Sequence, residues 1–251
     1  MRRKIIAGNW KMHGDRALAS ELAQACLDIV QAHPAVDVVV FPPFTLLPAV
    51  VQPLAGSAAG VGAQDVSEHA GGAWTGEVSA AMLLEAGCSH VLVGHSERRQ
   101  FHAEDDALVA RKFMAAQAAG LVPVLCLGES RAEREQGATE TVVGRQLAAV
   151  IAAAGVAALE QAVVAYEPVW AIDTGLTASP EQAQAVHAFL RSEVARQDAR
   201  IAASLRILYG GSVKPDNAAG LFGQADIDGA LIGGASLVAT DFTAIAAAAR
   251  D

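Results

Sequence analysis

A single carboxylate, Glu167, directly follows a short apolar run and precedes a proline. The run, residues 162–166, has the β-branched and aromatic composition of a buried strand. A loop of small and apolar residues follows, and then Ser179-Pro180-Glu181-Gln182, a sequence typical of a helix start. A partly buried acid at a strand end, next to a glycine-containing loop, is suited to abstracting a proton beneath a lid.

His95 is the second candidate, because it follows the apolar run 90–94 and precedes a predicted short helix that begins at Ser96. The positive end of that helix should lower the pKa of the imidazole and keep it neutral. A neutral imidazole can donate a hydrogen bond to a carbonyl or enediolate oxygen. Taken alone, His95 is also compatible with an ordinary structural histidine, and Glu167 with a solvated surface charge.

Lys11 and Asn9 follow the first apolar run of the chain. A lysine there can bring a fixed positive charge to the mouth of a site and stabilise a developing oxyanion. Asn9 can orient this lysine or donate to substrate oxygens. A surface lysine is the simpler alternative.

Glycine pairs follow the last two apolar runs, in Gly210-Gly211-Ser212 and Gly233-Gly234. Their amides can approach a phosphate closely, and Gly234 leads into a predicted short helix start. Either pair alone could serve only to form a turn.

Other chemistries lack their motifs. The segment from Gly94 to Arg98 lacks the second glycine of a nucleophile elbow. The seven histidines show no zinc spacing, and there is neither a Walker loop nor a GxGxxG. We therefore expect a proton shift next to a carbonyl, with no metal and no organic cofactor.

Short apolar runs alternate with helical segments at intervals of about thirty residues. Near-continuous apolar strands indicate burial on both faces, as in a parallel sheet. The pattern favours an α/β fold in which residues 1–251 form one closed (β/α)8 barrel, with the site where strands end. A weak third run leaves a seven-unit or open sheet possible. The runs are residues 4–8, 36–41, 59–63, 90–94, 122–127, 162–166, 205–209 and 227–232.

Composition limits the partners. The net charge of −9 repels nucleic-acid phosphates. The longest apolar candidate, residues 147–159, is too short to span a membrane, and the few apolar residues after Lys4 do not make a secretory signal. The three cysteines have no metal-type spacing. We expect a cytoplasmic protein that binds neither nucleic acid nor membrane.

The whole chain resembles the triosephosphate isomerase family. The similarity rests on several specific segments: Gly8-Asn9-Trp10-Lys11-Met12, Gly94-His95-Ser96-Glu97-Arg98-Arg99, residues 165–172, Tyr209-Gly210-Gly211-Ser212-Val213, and residues 228–237. The resemblance implies a TIM barrel that interconverts dihydroxyacetone phosphate and glyceraldehyde 3-phosphate, in glycolysis and gluconeogenesis.

The resemblance also implies residue roles. Glu167 is the base, His95 moves protons at the oxygens, and Lys11 stabilises negative charge. These roles are long established for this family, a standard example of a glutamate base and neutral histidine beneath a closing loop. Ser96 is expected to bind Glu167 while the lid is open. The implied substrate-binding residues are Asn9, Lys11, Ser96, Glu97, Asp173, Ser212, Gly233 and Gly234. The implied lid is Pro168, Val169, Trp170, Ala171, Ile172, Asp173, Thr174, Gly175, Leu176 and Thr177.

The long loop 64–77 resembles the family segment that inserts into a partner subunit near its active site. Trp74 and Thr75 would lie at its tip. The resemblance therefore implies a homodimer formed through this loop, and a tryptophan on a long glycine-containing loop fits a docking site.

The lid departs from the family pattern Ala-Ile-Gly-Thr-Gly-Lys-Thr at Asp173 and Leu176. Asp173 replaces a glycine whose amide binds the substrate phosphate in the family. A carboxylate ~6 Å from a phosphate charge, at an effective dielectric of ~20, costs on the order of 1–3 kcal/mol. We predict weaker substrate binding or a lid biased towards the open state. Asp173→Gly should therefore raise kcat/KM, and a value within about twofold of the parent would contradict this idea.

The sequence is also compatible with two alternatives. The first is a catalytically weakened barrel that keeps phosphate affinity. The second is another phosphate-binding barrel enzyme, such as a different sugar-phosphate isomerase or an aldolase. Aldolase chemistry usually needs a Schiff-base lysine at a strand end, where only Lys11 is suitably placed.

Overall fold

A computed structural model describes residues 2–172 and 177–249. Within them, parallel strands pair in chain order and the last pairs with the first, so the sheet closes into a barrel. The predicted (β/α)8 barrel is confirmed, including its weak third strand. The strands are β1 (Ile5–Asn9), β2 (Asp37–Phe41), β3 (Gly60–Ala63), β4 (His90–Val93), β5 (Val122–Leu127), β6 (Val163–Tyr166), β7 (Arg206–Tyr209) and β8 (Gly229–Ile232).

Helices surround the barrel. They are α1 (Arg16–Ala32), α2 (Leu47–Leu54), α3 (Ala80–Glu85), α4 (Ser96–Phe101), α5 (Asp106–Ala119), α6 (Arg131–Glu135), α7 (Thr139–Ala154), α8 (Pro180–Ala195), α9 (Ala199–Ser204), α10 (Ala218–Phe222) and α11 (Ala239–Ala248). Short 3-10 turns lie at Phe44–Leu46, Val156–Gln161, Val169–Ala171 and Gly234–Leu237.

The strands contribute to two apolar cores because successive side chains point to opposite faces of the sheet. In β6, for example, Val163 and Ala165 belong to the core inside the barrel, whereas Val164 and Tyr166 belong to the larger core beneath the helices. Burial on both faces explains the near-continuous apolar strands.

Some helix boundaries differ from those expected. The single helix predicted over residues 130–154 is two helices, because the chain between α6 and α7 passes through Gly137 at a φ of +70°. The helix expected to start near Lys214 begins at Ala218, since Asn217 Oδ1 accepts the Lys214 N–H and forms a turn. Helical composition alone did not reveal these local breaks.

The fold brings the ends of β1, β4, β6, β7 and β8 to one mouth of the barrel, because all strands run in the same direction. Within residues 2–172 and 177–249, no helix is long and apolar enough to cross a membrane.

Candidate active site

Glu167 lies directly after β6 and is almost completely buried, with 2% of its surface exposed. Its backbone N–H donates to the carbonyl of Leu127 at 2.7 Å, which continues the pairing of β5 with β6. Its Oε2 accepts the backbone N–H of Ser96 at 2.8 Å, and its Oε1 lies 3.0 Å from His95 Nε2. The carboxylate thus bridges the ends of β6 and β4.

The surroundings of Glu167 favour its charged form. Burial alone would raise the pKa of the carboxyl. The neighbouring His95 and the hydrogen bonds from His95 and Ser96 outweigh burial, and they lower the pKa of Glu167 below its ordinary value. A carboxylate that is ionised at neutral pH can accept a proton.

His95 caps the N-terminus of α4, and its Nδ1 accepts the backbone N–H of Glu97 at 3.3 Å. Because Nδ1 accepts this bond, a neutral ring carries its proton on Nε2, the atom that faces Glu167. The ring therefore presents a donor towards the mouth of the barrel.

The expected lowering of the His95 pKa is wrong for this arrangement. Burial disfavours the imidazolium, but the Glu167 carboxylate, its hydrogen bond and the charge of Glu97 together raise the pKa of His95. The prediction considered only the helix on which His95 lies. The decisive charge comes from Glu167, which is distant in sequence and becomes a neighbour only when the barrel closes.

Lys11 has a left-handed backbone conformation with a φ of +51°. Asn9 Oδ1 accepts the Lys11 N–H at 3.0 Å, so the asparagine stabilises this turn after β1. The same side chain extends its Nδ2 to 3.3 Å from His95 Nε2. Lys11 Nζ lies 2.8 Å from Glu97 Oε1. Asn9 and Glu97 thus connect the lysine to the histidine segment.

A cavity of about 320 Å³ connects these groups. A Cβ atom added at Gly233 would lie 3.4 Å from Lys11 Cε, which shows how closely this glycine approaches the lysine. The predicted site residues that line the cavity are Asn9, Lys11, His95, Glu167, Ile172, Ser212, Gly233 and Gly234. The cavity can therefore offer one small molecule a base, a hydrogen-bond donor, a cation and backbone amides.

Comparison with known proteins agrees with this arrangement. A family model described as triosephosphate isomerase matches residues 4–249. The chain is 62% identical over 249 residues to the triosephosphate isomerase of Thiobacillus denitrificans, covering 99% of each chain. It is 61% identical over 249 residues to that of Stenotrophomonas maltophilia and 60% identical over 250 residues to that of Xanthomonas campestris, again over 99% of each chain. The chain belongs to the triosephosphate isomerase family.

In this member of the triosephosphate isomerase family, the start of the predicted lid is bound to Glu129. The Glu129 Oε1 accepts from Trp170 Nε1 at 2.9 Å and from the Tyr166 hydroxyl at 3.1 Å. The Glu129 carbonyl accepts the Val169 N–H at 3.2 Å. Sequence reasoning missed Glu129, although its position shortly after β5 was a signal that could have found it.

The predicted lid is only partly described. Residues 168–172 include the 3-10 turn Val169–Ala171, and Thr177 is exposed. Asp173, Thr174, Gly175 and Leu176 lie outside the described residues.

The two glycine segments have different surroundings. A Cβ atom at Gly211 would lie 2.2 Å from the Tyr209 hydroxyl, and one at Gly210 would lie 2.8 Å from Glu167 Cγ. The absence of side chains at Gly210 and Gly211 therefore lets the chain leave β7 close to Glu167. A Cβ atom at Gly234 would meet nothing within 4 Å, so there is open space beside its Cα at the start of the turn Gly234–Leu237.

Ser96 and Glu97 do not line the cavity, but each contacts a residue that does. Ser96 binds Glu167 through its N–H, and Glu97 pairs with Lys11.

Trp74 and Thr75 are not among the residues that line the cavity of their own chain. Within the described part of the chain, no group of histidine, cysteine and acidic side chains could hold a metal ion.

Proposed function

We propose that this chain interconverts dihydroxyacetone phosphate and D-glyceraldehyde 3-phosphate through an enediolate, as a step of glycolysis and gluconeogenesis. The observation that carries the proposal is the convergence of Glu167, His95 and Lys11 on one small cavity. The family membership supplies the substrate. The reaction needs no metal and no organic cofactor, because it only moves protons.

The ionised Glu167 takes a proton from C1 of dihydroxyacetone phosphate and returns it to C2. Its Oε1 contacts His95 and its Oε2 contacts Ser96 in the described arrangement. Substrate therefore has to separate the carboxylate from these partners before the proton transfer begins.

His95 and Lys11 act on the oxygens of the substrate. The Nε2–H of His95 donates to the carbonyl oxygen and then moves protons between O1 and O2. Lys11 stabilises the negative charge of the enediolate from a fixed position. Glu97 orients the Lys11 ammonium group through their ion pair, and Asn9 holds the backbone turn that carries Lys11.

The phosphate binds at the glycine side of the cavity. We assign it to Ser212, Gly233 and Gly234, because all three line the cavity and Gly234, which has open space beside its Cα, begins a short helical turn. The lid, residues 168–177, closes over this group and excludes water. Asp173 belongs to this lid, and we propose that its charge weakens phosphate binding or closure.

A homodimer formed through loop 64–77 is a further part of the proposal. Trp74 is 49% exposed and stacks on His69 with ring centroids 3.6 Å apart. Near Lys11 and His95, a groove of about 600 Å³ is lined by Met12 and Phe101, which are 92% and 70% exposed. An exposed aromatic loop and an exposed apolar groove are complementary surfaces for a second copy of this chain.

Substitution of Trp74 tests the dimer. We expect the parent to sediment at twice the mass of one chain, because the loop and groove bury each other. Trp74→Glu should sediment mainly as a monomer at micromolar concentration, whereas Trp74→Phe, which keeps an aromatic ring, should stay dimeric. A dimeric Trp74→Glu protein would contradict the role of this loop.

We also propose that residues 1–251 form one domain and that the enzyme is cytoplasmic. The three cysteines, Cys26, Cys88 and Cys126, are free and buried, as is typical of a reducing compartment.

The proposed activity is tested by a coupled assay of the purified chain with each triose phosphate, in the presence of a chelator. We expect turnover in both directions. Failure of the folded protein to turn over either substrate would contradict the proposal.

A further inference from the structure

Gly128 lies directly after β5, against the backbone of Glu167. A Cβ atom added at Gly128 would lie 1.8 Å from the Glu167 carbonyl oxygen and 3.3 Å from its Cα. No side chain fits between the two segments. The peptide of Glu167 therefore rests directly on the backbone of Gly128.

Hydrogen bonds on either side join the same two segments. The Leu127 carbonyl accepts the N–H of Glu167 at 2.7 Å, and the Glu129 carbonyl accepts the N–H of Val169 at 3.2 Å. Gly128 is the residue between these two carbonyls. Movement of Gly128 would therefore displace both contacts of the segment that carries Glu167.

The polar backbone groups of Gly128 are bound by one side chain from α7. Gln146 Oε1 accepts the Gly128 N–H at 2.8 Å, and Gln146 Nε2 donates to the Gly128 carbonyl at 3.2 Å. Gln146 is only 5% exposed. Among neutral side chains, an amide supplies both an acceptor and a donor in this paired geometry.

Packing against Glu167 holds Gly128 on one side, whereas a cavity of about 580 Å³ lies on another side of it. Gly128, Gln146, Glu167 and Trp170 are among its lining residues. Where such space is available, the paired hydrogen bonds of Gln146 define the position of the glycine. Their loss would let the segment shift towards the cavity.

We propose that Gln146 is a positioning residue for the isomerisation, which sets the place of Glu167 through the backbone of Gly128. This inference rests on the proposed function of Glu167 as the base. Gln146 does not line the 320 Å³ substrate cavity, so it acts on the geometry of the base rather than on substrate affinity.

Gln146→Met tests the inference because it keeps the length of the side chain and removes both hydrogen bonds. We expect kcat to fall by about 10- to 100-fold, since a displacement of about 1 Å can cost that much, while KM stays within about twofold. Gln100→Met is the matched control. Gln100 lines the same 580 Å³ cavity but is exposed, and this variant should keep the kcat of the parent.

Gln146→Glu adds a readout that loss of stability would not produce. A protonated carboxyl offers the same donor and acceptor as the amide, whereas an ionised carboxylate can only accept and would face the Gly128 carbonyl. Burial raises the pKa of such a carboxyl towards neutral pH. The ratio of the kcat of Gln146→Glu to the kcat of the parent should therefore rise as the pH falls from about 8.5 to about 6.

The same ratio for Gln146→Met should not change across this pH range. All variants are checked for folding by near-ultraviolet circular dichroism at each pH. The inference is overturned if folded Gln146→Met keeps kcat within twofold of the parent. It is also overturned if Gln146→Glu and Gln146→Met lose kcat equally at every pH. A folded parent that does not isomerise would instead overturn the proposed function itself.

Discussion

Glu167→Gln is expected to lower kcat by about 10²- to 10⁴-fold, the usual contribution of a general base. The amide is nearly the same size as the carboxylate and can still accept the Ser96 N–H, which the parent binds at 2.8 Å. It cannot accept a proton from carbon. We therefore expect KM to change much less than kcat, as measured by initial rates in the coupled assay.

Glu167→Asp is the control that separates the effect of the charge from the effect of the side-chain length. It keeps a carboxylate but withdraws it by one methylene from the position that contacts His95 at 3.0 Å. Its kcat should lie between those of the parent and Glu167→Gln. If Glu167→Gln retained more than about a tenth of the parental kcat, another group would have to be the base.

Lys11→Met should lower kcat/KM by about 10²- to 10³-fold, comparable to the loss of one group that stabilises an oxyanion. Lys11 and Lys214 both line the cavity, and Lys11 is the one that lies close to Gly233 and pairs with Glu97. Its removal also leaves Glu97 without the ammonium group that lies 2.8 Å from it. A negative charge near a phosphorylated substrate should raise KM as well as lower kcat.

The double variant Lys11→Met/Glu97→Gln distinguishes the two effects. Removal of the remaining carboxylate should reverse part of the rise in KM. It should not restore kcat, because the stabilising cation is still missing. Steady-state kinetics of both variants make the comparison. A loss of less than tenfold in kcat/KM for Lys11→Met would show that the lysine does not act on the reacting oxygens.

The parts of the site that could be predicted lie next to strands in sequence. Asn9, Glu167 and Gly233 end or follow strands whose apolar pattern is clear, and a parallel barrel brings such positions to one mouth. The substrate, in contrast, came from resemblance to a family. Strand ends indicate where chemistry is possible, but they do not identify the molecule that reacts.

The parts that could not be predicted depend on contacts between distant segments. Gln146 lies in the middle of a helix, and only the path of α7 brings it to the backbone of Gly128. The raised pKa of His95 has the same origin, because it depends on a carboxylate from another strand. The local pattern, a helix that begins next to His95, had predicted a lowered pKa instead.

Glu167 is the proposed base of a proton-transfer isomerisation in this chain. The most direct test of this role is the rate of conversion of dihydroxyacetone phosphate by the parent and by Glu167→Gln, prepared identically and assayed with a chelator and no added cofactor. We predict rapid turnover by the parent and a kcat at least about 100-fold lower for Glu167→Gln. A folded parent whose rate does not exceed that of Glu167→Gln would contradict the claim.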